Sequence, residues 1–355
     1  MSKTIISVES VKSVDSHPNA DRLDVIQVLG FQVITQRGNL RVNDTVVYFP
    51  PDILIPPDTS GRFGVTNYLK HAVFPGDLEK SQCRVGATRL RGVPSYGFCV
   101  SIENSGLPSS TAIGTNVTDM FQAHKYVAPI RMGAGDAECE LDGFHKYTNI
   151  ENYQRYPGAF RLDESVVVTE KLHGTNCRLG LVCEKTGDFV FCAGSHSVRR
   201  KQGTGLYWKF MSEPVMSLLL DLCKDHSNDV VLFCEIFGPG VQDLDYGLTE
   251  KSMRVFDISV NGIYMSANDM LSACNTHGLL TVPLLFCGEF CPDIVEEFTY
   301  GDTTFDGVRG KFKGREGCVI RPTTEQFSDI IGGRLILKSV SADYRDRRGA
   351  TDVGE

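Results

Sequence analysis

At 355 residues the chain is long enough for two domains, and its composition, 41% hydrophobic and 23% charged, is ordinary for a globular protein in water. No apolar run reaches membrane-span length and the first residues lack a signal-peptide core, so the expectation is no membrane partner and an intracellular location, cytoplasm or nucleus. A formal charge of −8 argues against a non-specific nucleic-acid binder but leaves room for local basic patches. Three clusters qualify: Arg84, Arg89 and Arg91; Arg199, Arg200 and Lys201; Arg345, Arg347 and Arg348. The twelve cysteines include no C-x-x-C pair and mostly sit in apolar runs, which reads as buried reduced thiols and not as a zinc site.

In chain order, residues 1–125 break into short β-rich runs, among them "RLDVIQVLG", "FQVITQRG" and "DTVVYFP", separated by Gly, Asn and Pro. Short strands without a helical period predict a small barrel or sandwich. Residues 126–150, with "APIRMGAGDAECELDG", read as a linker. From 151 to 355 strands return with two predicted helices. "EPVMSLLLDLCKDH" places Val215, Leu218, Leu219 and Leu222 at helical spacing behind Pro214. "SANDMLSACNTHG" offers Ser266 as N-cap and Gly278 as the terminating residue. Between them "MRVFDISVNGIYM" reads as a hairpin turning at Asn261-Gly262. The fold class is therefore α+β, with mostly antiparallel sheets and flanking helices in the second half.

The P-loop, the dinucleotide fingerprint, the zincin motif and the G-x-S-x-G elbow are all absent. What remains is a set of charged residues at the ends or in the middle of apolar strands: Lys171 after "VVVTE", Glu235 in "VVLFCEIFG", Asp257 in "RVFDISV", Glu316 before "GCVIRP" and Lys338 after "RLIL". Each alone reads best as a solvent-facing strand residue. Together, two lysines and three carboxylates on strands suit a concave site for a nucleotide and a divalent cation. A lysine acts as a nucleophile only when neutral, and a nearby cation lowers its pKa. Carboxylates hold a hard metal, a second lysine balances charge developing on phosphate, and Phe256 offers a ring to a base.

The stretch "EKLHGTN", Glu170 to Asn176, resembles motif I of the covalent nucleotidyltransferases in the form found in the RNA ligase branch of phage T4 RNA ligase 2. "FCEIFG", "RVFDIS", "EGCVIRP" and "LILKSVS" are similar to motifs III, IIIa, IV and V, in the family's order, across roughly 150–345. "HPNADRLDV", "GFQVITQRG", "DTVVYFPPD" and "RLRGVPSYGF" resemble the N-terminal OB domain of the Naegleria-type RNA ligases; the first is also similar to the tRNA-binding OB modules of aminoacyl-tRNA synthetases. An OB-like barrel ahead of the transferase domain fits this branch better than DNA ligases or capping enzymes, whose OB domain follows.

The resemblance implies an ATP-dependent RNA ligase that joins a 3′-hydroxyl to a 5′-phosphate, including at nicks in duplexes, with Mg²⁺ or Mn²⁺, as a monomer. It implies that Lys171 attacks the α-phosphate and Lys338 contacts it. Glu170, His173, Gly174, Asn176, Glu235, Phe256 and Asp257 would surround the nucleotide, and Glu316 would serve the metal's water shell. Arg199 and Arg200 are both candidates for the motif Ia arginine. One departure stands out: motif V usually reads Lys-x-Lys, and here it reads Ile336-Leu337-Lys338. A phosphate-facing lysine would then be missing, with Lys311 or Lys313 as substitutes. The competing readings are another covalent nucleotidyltransferase (a DNA ligase or a capping guanylyltransferase) and an RNA-binding protein with a degenerate transferase domain.

Overall fold

A computed structural model describes residues 5–72, 82–126, 135–203, 205–305 and 312–347. Two compact units divide the chain, with the boundary after residue 128.

In the first unit the three runs expected as strands form Leu23–Val28, Phe31–Gln36 and Thr45–Phe49. Small antiparallel sheets built from these and their neighbours wrap two apolar clusters, one around Val47, Phe49 and Ile53 and the other around Ile26, Val33 and Tyr48. Alternate residues of Thr45–Phe49 feed the two clusters, as strand geometry demands.

In the second unit two sheets face each other. The six-stranded sheet runs Arg199–Arg200, Phe189–Ser195, Thr175–Cys183, Val230–Phe237, Ser252–Val260, Ile263–Tyr264. The five-stranded sheet runs Glu151–Asn152, Leu337–Val340, Gly317–Pro322, Ser165–Lys171, Leu284–Glu289. Both predicted helices form. Glu213–Cys223 carries Pro214 in its first turn. Ala267–Thr276 is capped by the Ser266 hydroxyl, which accepts from the Asp269 N–H at 3.1 Å. Their apolar sides pack on the outer face of the six-stranded sheet through Val215, Leu218, Leu219, Met270 and Cys274. A third helix, Pro292–Thr299, covers the outer face of the five-stranded sheet; Pro292 at its start and Ile294, Val295 and Phe298 on one side were its sequence signals. The Asn261-Gly262 turn is left-handed at both residues, as a two-residue hairpin requires. All twelve cysteines are free thiols, and seven of them are buried.

Residues 135–150, read from the sequence as part of a linker, lie as a strap on the inner face of the six-stranded sheet. Glu140 pairs with Arg178, and Arg178 donates to the Phe144 carbonyl and lies 4.4 Å from the centre of its ring. Gly180 leaves room for that ring, since a Cβ there would come within 3.0 Å of it.

Candidate active site

Cross-strand register assigns the side chains that meet between the sheets, because directly opposed residues share a face. On the six-stranded sheet, Asn176, Glu235 and Arg254 form one row across three strands. The next row on that face is Arg178, Phe233 and Asp257. A bulge opposite Phe233–Cys234 places Phe256 between the two rows and re-aims its ring, the usual effect of an extra residue in a ladder. On the five-stranded sheet, Thr169, Val319 and Lys338 share a row, and Lys171, Gly317 and Val340 share the next row of the same face. Glu170 points the other way, with Val166 and Val168.

The strand Ser165–Lys171 delivers Lys171 at its end, where the side chain is 18% exposed. Its Nζ lies 2.5 Å from Oε1 of Glu316, which is 1% exposed. The three-residue turn 172–174 returns the chain to the opposite sheet at Thr175–Cys183. Gly174 is required there by packing: a Cβ would stand 2.2 Å from the Ile236 carbonyl oxygen. The fold thus adds a packing requirement to the expectation that this glycine lies by the nucleotide.

His173 is also taken up by the fold. It is 1% exposed; Nδ1 meets the Tyr344 hydroxyl at 2.7 Å and Nε2 meets Asp243 at 2.6 Å, while Arg347 pairs with the same aspartate. Its N–H donates to the Tyr246 hydroxyl at 2.6 Å. Burial and then the charge of Glu316 push the Tyr246 phenol well above its ordinary value. His173 thus ties the motif I turn to the helix Ala342–Asp346. Glu170 accepts from the Thr303 hydroxyl and from the N–H and hydroxyl of Thr304, at 2.5, 3.0 and 2.7 Å. It braces the 303–304 segment.

Asp257 departs furthest from expectation. It is fully buried, and its carboxylate receives Tyr147 at 2.7 Å, Arg334 at 2.6 Å, Arg321 at 3.1 Å and the Ile258 N–H at 3.0 Å. Arg334 also grips Glu325 with two nitrogens. Burial, followed by the Asp257 charge, pushes the Tyr147 phenol well above its usual value, which keeps it a donor. With every lone pair engaged, Asp257 locks the two sheets together. Arg199 and Arg200 are likewise absorbed: Arg199 pairs with Glu138 and Glu184, and Arg200 with Asp136.

Ile336 is 3% exposed and packs with Phe144, Tyr147, Val182, Val231 and Phe233. It belongs to this closed, apolar end of the space between the sheets, so the position faces core, not phosphate. Lys313 is exposed, and Lys311 and Arg348 lie outside the described residues.

The open end gathers Lys171, Glu316, Asn176, Glu235, Lys338 and the half-buried Phe256. Sequence reading missed Arg254. Its guanidinium lies 5.6 and 5.8 Å from the Phe237 and Phe305 rings, burial lowers its pKa, and it forms no ion pair with any described residue. The signal was present in "MRVFD", but the bulge hides the face on which Arg254 falls. Asn176 Oδ1 is buried and has no hydrogen-bond partner among the described residues. A neutral oxygen in need of a partner, on the strand residue opposite Glu235 and at the end that also holds Glu316, suits a hard divalent cation or a nucleotide hydroxyl. These residues fit such a metal, with Glu316 and Asn176 as the ones to hold it.

A strand-end lysine paired to a carboxylate between two facing, mostly antiparallel sheets, in a chain that carries a small β-rich unit earlier in sequence, is the plan of a covalent nucleotidyltransferase. Comparison with known proteins narrows the class. Residues 164–340 match the RNA ligase family and residues 5–102 an OB-fold domain family; through the former the chain belongs to the RNA ligases. Its fold is similar to that of the Naegleria gruberi RNA ligase, at 19% identity. For the structure solved with PPi the TM-score is 0.66, covering 98% of this chain and 99% of that one. For the one solved with AMP and Mn it is 0.65, covering 97% and 100%. Among curated proteins, the phenylalanine–tRNA ligase β subunits of Neisseria gonorrhoeae and Neisseria meningitidis are 27% and 25% identical over 150 and 146 residues. Those matches take in 38% of this chain, which spans only 16% of the length of these relatives.

Proposed function

We propose that this chain is an ATP-dependent RNA ligase that seals 3′-hydroxyl and 5′-phosphate ends through Lys171. The observation that carries the reading is the Lys171–Glu316 pair at 2.5 Å, at the open end shared with Asn176, Glu235 and Lys338.

The chemistry follows from the charges. The Lys171 nitrogen forms a bond to the α-phosphorus of ATP as the bond to pyrophosphate breaks, leaving lysyl-AMP. A 5′-phosphate oxygen then displaces Lys171 from that phosphorus. Finally the 3′-hydroxyl oxygen attacks the activated 5′-phosphorus, gives up its proton, and AMP departs. Each displacement is in line, so positioning and charge stabilisation are what the protein contributes. Glu316 pairs with the ammonium form of Lys171, which has no lone pair. A divalent cation, Mg²⁺ or Mn²⁺, held on Glu316 and Asn176 would compete for that carboxylate and favour the neutral amine. Lys338 and Arg254 supply positive charge toward the phosphates, Phe256 presents a ring to adenine, and Glu235 accepts from the ribose. The Naegleria structures solved with ATP and Mn support this choice of ligands, and the tRNA-ligase likeness supports an RNA-directed protein.

The test is to incubate the chain with α-labelled ATP and Mn²⁺, denature it, and look for retained label. Label that disappears in Lys171→Ala is the expected result. Label from GTP and not from ATP would mean a capping-type transferase, and none at all would sink the enzymatic reading. Sealing assays on nicked RNA, single-stranded RNA and nicked DNA then separate RNA from DNA ligation.

A further inference from the structure

Lys171 ends one strand of the five-stranded sheet and Glu316 immediately precedes its neighbour, with Lys171 opposite Gly317. The helix Ala342–Asp346 is bonded to both. At its start the Ser341 N–H donates to the Glu316 carbonyl at 2.8 Å. The Ser341 hydroxyl donates to the Arg315 carbonyl at 3.2 Å and accepts from the Tyr344 N–H at 3.1 Å. Further along, the Tyr344 hydroxyl meets Nδ1 of His173, two residues after Lys171. These bonds close a ring. Lys171 joins Glu316 through side chains, Glu316 joins Ser341 through the backbone, and Tyr344 returns to the turn that follows Lys171.

A second segment grips the same turn from the end of the strand Val230–Phe237. Gln242 Nε2 donates to the Gly174 carbonyl at 3.2 Å, Asp243 meets His173 Nε2, and the Tyr246 hydroxyl accepts from the His173 N–H. The Asp243 carboxylate can only accept, so Nε2 carries a proton; in the neutral ring Nδ1 then accepts from the Tyr344 hydroxyl. Arg347 ties the two grips together. Its Nε and Nη2 donate to the two oxygens of Asp243 at 3.0 and 2.9 Å, its Nη1 donates to the Tyr344 carbonyl, and its guanidinium lies 3.6 Å from the centre of the Tyr344 ring. His173 and Tyr344 are each 1% exposed. An apolar side chain would fill the same space. What the polar set adds is one fixed orientation of the turn.

We propose that Tyr344, Asp243 and Arg347 are positioning residues for the nucleophile: by gripping His173 they set the distance and angle at which Lys171 exchanges Glu316 for the α-phosphorus. The proposal rests on the reading of Lys171 as the AMP acceptor. In-line attack tolerates little displacement of the attacking atom. Lys171 forms the new bond in the first displacement, leaves in the second, and has no bond to phosphorus in the third. The clasp therefore matters for making lysyl-AMP and little for the final sealing.

The test uses the full chain and three variants. Tyr344→Phe keeps the ring and drops one hydroxyl; Asp243→Ala removes the acceptor, and Asp243→Asn keeps one for Nε2. At saturating ATP and Mn²⁺, single-turnover formation of lysyl-AMP should slow about 10- to 30-fold in Tyr344→Phe and Asp243→Ala, and Asp243→Asn should recover most of the loss. Half-saturating ATP should stay within about 2-fold, and sealing of a nick whose 5′-phosphate already carries AMP should fall by no more than about 3-fold. A merely structural role would lower both reactions together and move the urea midpoint. Wild-type rates of lysyl-AMP formation, or an equal loss in the two reactions, would overturn the proposal. A second readout needs no ligase activity. Acetylation of Lys171 by acetic anhydride, measured by mass spectrometry against Lys338, should be severalfold faster in Tyr344→Phe, because the amine is no longer held on Glu316. If the unaltered chain forms no lysyl-AMP while this labelling still rises, the clasp stands and the ligase reading falls; unchanged labelling in that case would sink both.

Discussion

The two ends of the space between the sheets hold similar charges and differ in what satisfies them. At one end Asp257 is fully buried and is met by Tyr147, Arg321, Arg334 and a backbone N–H. At the other, Lys171 keeps 18% of its side-chain surface and the Asn176 Oδ1 has no hydrogen bond among the described residues. In the sequence both look like a charged residue interrupting an apolar strand. The strap 135–150 makes the difference, because Phe144 and Tyr147 fill one end and leave the other open. A complete set of partners marks a structural lock, and an incomplete set marks a place where a ligand finishes the network.

Four substitutions separate the ends. Lys171→Ala should abolish covalent AMP retention while leaving the urea midpoint within a small margin, since only the open end is touched. Persistent label would move the nucleophile elsewhere. Arg334→Met should do the opposite. It leaves Asp257 and Glu325 short of a cation and should cost about 3–5 kcal/mol in urea unfolding. An unchanged midpoint would refute the lock. Ile336→Lys tests whether motif V lacks a lysine or uses this position for core. We expect a loss of about 2–4 kcal/mol from burying a charge among aromatic rings, with no gain in sealing rate; faster sealing at unchanged stability would show that the position faces phosphate after all. Asn176→Ala should be mildest, with stability unchanged and lysyl-AMP formation slowed about 10- to 100-fold by loss of one oriented oxygen. Normal rates at limiting metal would remove Asn176 from the site.

Much of this was legible in the chain. The strands, the Pro214 and Ser266 helix starts and the Asn261-Gly262 turn follow from local preferences, which act over a few residues. So does the order of Lys171, Glu235, Glu316 and Lys338 along strands that a single motif series links. The third helix, Pro292–Thr299, was passed over because eight residues give barely two turns of periodicity.

What the sequence by itself determined is which residue types stand at strand ends and in which order, and the motif resemblance that implies the transferase class. Only the tertiary structure decided which of them remain available. The sequence does not say that Asp257 would be closed by Tyr147 from 110 residues away, nor that Arg199 would be neutralised by Glu138. It does not say that a bulge would bring Arg254 into the row of Asn176 and Glu235, or that Tyr344 would close on His173. Local propensity fixes a residue's neighbours along the strand, whereas burial, pairing and the field at a charge come from groups distant in sequence that only packing brings within a few ångströms.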